Sequence, residues 1–169
     1  DAKDFNVNVD NAAPEVSPDT QDDEDVYGSL EVSFSGKTRD EHKQNITDLY
    51  FAVSKDNTRP EKESGSFVNI KDYVSTSKWT ISFDVKADDD IDSANENTEI
   101  STIYHAYKLN KYLDDYYPEA DGKKPSELDE TKELYVWMYA TDELGNDGYE
   151  NAESVKLNVI PRADKPTVK

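Results

Sequence analysis

The chain has 169 residues, with 38 Asp and Glu against 19 Lys and Arg, for a formal net charge of -19. Leu, Ile, Val and Phe together supply 33 residues, just under a fifth, so a large apolar core is excluded and one modest domain is the expectation. The negative field argues against nucleic acid as a partner, and no apolar run approaches the roughly 20 residues of a membrane-spanning helix.

Taken in chain order, alternation is the dominant signal. Leu30, Val32 and Phe34 fall on one face of a strand, and Leu49, Phe51 and Val53 repeat the pattern. Trp79, Ile81, Phe83 and Val85 form a third row, with Thr80, Ser82 and Asp84 opposite. Leu134, Val136, Met138 and Ala140 form a fourth, and Val155, Leu157 and Val159 a fifth. Period two with polar partners predicts antiparallel strands with one wet face. Turn signals at Ser35 and Gly36, Asp56 and Asn57, and Gly145 and Asn146 separate the rows. The fold class expected is all-β, an antiparallel β-sandwich.

Residues 86–130 interrupt the alternation. They open on Asp88, Asp89, Asp90 and Asp92, and Ser93 with Glu96 fits a capping box. Ile100, Ile103, Tyr104 and Tyr107 are spaced for one helical face, with Ala106, Leu109, Leu113 and Tyr116 for an adjoining one, and Pro118 stops the run. The spacing predicts a helix of about four or five turns, inserted between the strands lettered E and F in an Ig-type layout and lying on the sandwich. Strand is the competing reading for residues 100–109.

A near-repeat organises the chain. Phe5, Asn6 and Val7 are followed by Pro14 and Val16, and Leu157, Asn158 and Val159 by Pro166 and Val168; every corresponding pair is 152 residues apart. On this reading residues 1–11 are the end of a preceding repeat and its linker, 12–161 one full domain, and 162–169 the linker to a following repeat, one bead of a tandem array.

Two short motifs carry a family resemblance. Residues 9–16 (V-D-N-A-A-P-E-V) resemble the inter-domain linker of bacterial Ig-like repeats in large cell-surface adhesins, and more distantly the cadherin linker. Residues 140–146 (A-T-D-E-L-G-N) are similar to the end of strand F and the following hairpin in the same repeats. The motifs cover about a tenth of the chain, and the insertion and length depart from the family. The resemblance implies a non-catalytic extracellular module at the cell surface, with neighbouring repeats of the same chain as partners. A glycan or a host cell-surface protein is a possible further partner, and an S-layer building block is the other structural alternative.

In such a sandwich the start of strand A and the F–G hairpin share one pole, so Asp10 and Asn11 are expected near Asp142 and Asn146, with Asp40 and Glu41 close by. Oxygen-rich sites of this kind suit Ca2+ as a structural ion. Asp142 has a second possible job, capping the hairpin turn through nearby backbone. At the other pole Asp19, Asp22, Asp23 and Asp25 are expected to meet Asp88, Asp89 and Asp90 near Arg162 and Asp164, either as a second cation site or as a solvated acidic surface.

Tyr135, Trp137 and Tyr139 alternate with the core row of the fourth strand and point away from it. Either the inserted helix covers them, or they form a flat aromatic platform for stacking sugars, the ligand-binding alternative. No cysteine is present, which excludes thiolate sites, and His42 and His105 are too few for a histidine metal site. No nucleophile-elbow, P-loop, dinucleotide or zinc-protease motif occurs, so no enzymatic activity is expected.

Overall fold

A computed structural model describes residues 11–18, 22–29, 32–40, 46–69, 81–84, 98–104 and 106–162. The elements in chain order are β1 (Glu15–Pro18), β2 (Glu24–Tyr27), β3 (Val32–Arg39), β4 (Ile46–Ser54), β5 (Val68–Asn69), β6 (Ile81–Asp84), β7 (Thr98–Tyr104), α1 (Ala106–Tyr116), β8 (Lys132–Asp142) and β9 (Ser154–Ile160). They form two sheets, one ordered β1-β3-β7-β6 and the other β2-β9-β8-β4-β5. Those orders correspond to A-B-E-D and, with a further strand at each edge, to G-F-C of an Ig-type layout.

The rows read from alternation become the core of the larger sheet. Leu49, Phe51 and Val53 of β4, Leu134, Val136, Met138 and Ala140 of β8, and Val155, Leu157 and Val159 of β9 are all buried on one face. The strands align them: Leu49 faces Ala140, Phe51 faces Met138, and Leu134 faces Leu157. Val16 of β1 and Val26 of β2 join this cluster from the chain's first two strands.

One pairing departs from the antiparallel expectation. β2 runs parallel to β9, with Glu24 opposite Leu157 and Tyr27 opposite Ile160. β1 pairs with β3 and ends at Pro18, opposite Gly36. Proline has no N–H to offer a ladder, so pairing stops there at a sheet edge. The chain then crosses to the edge of the second sheet.

The long helix is the larger correction. Ile100, Ile103 and Tyr104 lie in β7, paired with β3 over seven residues and with β6 on its other side. The segment T-E-I-S-T-I-Y is rich in β-branched residues, which lose side-chain freedom in a helix and fit a pleated surface. β7 therefore occupies the place of strand E, and β6, from the row that begins at Trp79, takes the place of D. Helix does stand between E and F, but as the 11 residues of α1. The proposed cap at Ser93 and Glu96, Leu30 and Trp79 lie outside the described residues.

α1 closes one end of the core. Leu109 and Leu113, one turn apart, have no exposed surface and pack into the same cluster as β4, β8 and β9. The hydroxyl of Tyr116 donates to the Val53 carbonyl at 2.8 Å, that of Tyr117 to the Glu133 carbonyl at 2.8 Å, and the Asn110 side-chain amide to the Pro161 carbonyl at 3.1 Å. These contacts place α1 where β4 and β9 end and β8 begins, here termed the helix pole. The chain then turns back through Asp121 and Gly122, both at positive φ, and Ser126 donates both its N–H and its hydroxyl to Asp114, at 2.8 and 2.7 Å. Truncating Leu113 to Ala leaves a cavity with no solvent to fill it, so urea denaturation is predicted to show a loss of about 2 to 5 kcal/mol.

Candidate functional site

The opposite end is built on the β8–β9 hairpin. Asp142, the last residue of β8, is 2% exposed. Its Oδ1 accepts the backbone N–H of Leu144 at 2.9 Å and of Asn146 at 2.8 Å, and its Oδ2 accepts the Asn146 side-chain amide at 2.8 Å. Gly145 supplies the turn's positive φ of 87°. The Asp142 N–H donates to the Asn146 carbonyl at 3.0 Å. At the facing start of β4, Thr47 is the extra residue of a bulge between Ile46 and Asp48, and its hydroxyl donates toward the carbonyls of Thr141 and Asp142.

Chain entry lies against this hairpin. The Gly148 N–H donates to Ala140 at 2.9 Å, and a Cβ on Gly148 would sit 2.3 Å from the Pro14 carbonyl. Only glycine allows that approach. Asp40, at the end of β3, is buried. The structure thus brings Asp142 and Asn146 into direct contact and leaves Asn11 exposed a few residues before β1; Asp10 and Glu41 lie outside the described residues. Among the described residues no group of three or more acidic or histidine side chains converges as a metal site. The Asp142 carboxylate accepts three N–H bonds in place.

Of the acids expected at the other pole, Asp22 and Asp23 bind Lys156 of β9. Asp22 accepts the Lys156 backbone N–H at 2.8 Å. Asp23, at a positive φ of 63°, pairs with the Lys156 ammonium at 2.8 Å, while Glu133 takes the same ammonium at 2.7 Å. Lys156 thus ties β2, β9 and β8 together near the middle of β9, and those two hydrogen bonds raise its pKa. Asp19, Asp88, Asp89, Asp90 and Asp164 lie outside the described residues.

Two of the three rings in the aromatic row on β8 are buried. Trp137 and Tyr139 are 6% and 4% exposed, whereas Tyr135 is half-buried. The Tyr139 ring stacks on its cross-strand neighbour Tyr50 at 4.8 Å and meets Phe67 and Tyr149 edge-on at 5.1 and 5.7 Å. The Trp137 indole N–H donates to the Ser54 hydroxyl at 2.8 Å. The cover over Tyr139 is the connection between β4 and β5 together with the short helical turn Tyr149–Asn151. Arg59 clamps the two: its guanidinium lies 4.3 Å over the Tyr149 ring, donates to the carbonyls of Tyr149 and Glu150, and pairs with the Glu150 carboxylate at 2.8 Å. Lys62 pairs with Asp147 alongside, and the Tyr149 hydroxyl donates to Pro60 at 3.0 Å. At that exposure Trp137 and Tyr139 present little ring surface for sugar stacking. Arg59, Phe67 and Tyr149 gave no local signal for this role, because their partners lie as much as 91 residues away in the chain.

No family model matches the chain, and no curated protein is similar to it. Among solved structures, the sialic acid binding region of the Streptococcus sanguinis SK1 adhesin bound to 3'sLn matches at 15% identity and a TM-score of 0.43. The match covers 90% of this chain, which spans 31% of the length of that one.

Burial pushes the Tyr139 hydroxyl up to about 12, reinforced by Tyr50 and Asp147. A pKa raised in the folded state contributes stability that is complete below the ordinary tyrosine value near 10 and is lost as pH rises through the folded value. Stability is therefore predicted to fall between about pH 10 and pH 12; burial raises Tyr116 and Tyr117 as well, so replacing Tyr139 by Phe should reduce, not abolish, the late part of the tyrosinate absorbance titration.

Proposed function

We propose that the chain is a non-catalytic Ig-type module of a tandem-repeat cell-surface protein of the adhesin kind, acting outside the cell as a spacer between neighbouring units. The observation that carries the reading is the 152-residue offset combined with the strand boundaries. Leu157, Asn158 and Val159 lie in β9, the last strand, and Pro14 stands immediately before β1, the first. The repeated sequence thus falls on the end of one unit and the start of the next, which is where a tandem array has to repeat it. The two strand orders and the self-closed hairpin support the same reading, and the described helix is too short to cross a membrane. Calcium stiffening is proposed at the junction, with Asp10 and Asn11 of the linker supplying oxygens beside Asp142 and Asn146. The aromatic row does not favour the glycan-binding alternative, because its two most central rings are buried.

Limited proteolysis of the longer natural polypeptide is the test. Cleavage at intervals of about 152 residues, within the stretches corresponding to 9–14 and 161–166, is the expected result, because exposed linkers are cut before folded units; a single resistant core without that interval would overturn the reading. Melting the same material in excess chelator addresses calcium: a lower melting temperature is expected from loss of a ligand of the folded state, and an unchanged curve removes the ion and leaves the spacer.

A further inference from the structure

Among the described residues, two large apolar side chains stand clearly exposed: Leu144 at 58% and Tyr27 at 38%. They lie at opposite ends of the molecule. Leu144 is at the tip of the β8–β9 hairpin, the end at which Pro14 leads into β1. Tyr27 is the last residue of β2, opposite Ile160, at the end where β9 finishes and α1 sits.

The geometry of the repeat brings such ends together. β9 ends at Ile160, and Glu15, the first residue of β1, advanced by 152 falls on Thr167. Six residues, 161–166, therefore separate consecutive units, and a linker of that length reaches no more than about 25 Å when fully extended. On the tandem reading, the helix pole of one unit lies within that reach of the hairpin pole of the next.

We propose that Leu144 is the apolar contact by which this unit docks onto the helix pole of the unit preceding it, an inference that rests on the tandem reading above. Three features fit that partner. Asp142 accepts the Leu144 N–H and Gly145 takes the positive φ, so the side chain is presented on a fixed turn. Leu144 is left out of the core cluster of its own unit. A unit laid out like this one offers an apolar side chain in return, because Tyr27 is exposed at its helix pole. So small a contact is too weak to join free molecules, but a short linker raises the effective concentration to the millimolar range, where it suffices.

The test compares Leu144→Ser in two proteins: the 169-residue chain, and the natural polypeptide extended on the N-terminal side by one further 152-residue interval. In the single chain the variant is expected to leave the melting temperature unchanged, because Leu144 serves no core there. In the extended protein it should lower the melting temperature of this unit and increase the radius of gyration by small-angle X-ray scattering, and Leu144→Met should restore both. Equal effects in the two proteins would assign Leu144 to its own fold and overturn the contact. Silence in both, with the extended protein still melting as two folded units, would overturn the contact and leave the tandem reading standing. An extension that holds no second unit would overturn the tandem reading and the contact with it.

Discussion

The structure depends on burying three apolar rows, those of β4, β8 and β9, in a chain whose charge opposes compaction. Such rows are narrow, and a sheet with one buried face leaves its ends open to water. α1 answers that problem at one end: Leu109 and Leu113 fill the opening, and Tyr116, Tyr117 and Asn110 fasten the helix to the ends of the strands that surround it. At the other end the hairpin and its buried Asp142 do the same with polar groups. One pole is sealed by apolar volume and the other by hydrogen bonds to a carboxylate.

A net charge of -19 is tolerable because scarce cations stand between acids from different elements. Lys156 lies between Asp23 and Glu133 and so joins three strands, while Arg59 and Lys62 bind the β4–β5 connection to Glu150 and Asp147. Exposed ion pairs contribute little singly. Here their role is positional: each fixes an edge strand or a loop that apolar burial alone would leave loosely held, and Arg59 in addition covers an aromatic ring.

That covering shapes the functional reading. The outer face of β8 carries a second, smaller cluster built from Tyr50, Phe67, Tyr139 and Tyr149. Buried on both faces, β8 works as the central beam of its sheet. Among the described residues the two large exposed apolar side chains, Leu144 and Tyr27, lie at the two ends of the molecule, in keeping with the proposed joining in line.

The sequence by itself determined the three core rows, because alternation is a property of the local chain: side chains two apart share a face whatever the strand pairs with. It also marked the hairpin, since Asp142, Gly145 and Asn146 interact within five residues. Tertiary structure alone decided whether Ile100, Ile103 and Tyr104 belong to a helix or a strand, for their spacing allows either and pairing with β3 settles it. It also decided that β2 runs parallel to β9, and that Trp137 and Tyr139 are buried. In each case the deciding partner is distant in the chain, and no local pattern of residues encodes which distant partner arrives.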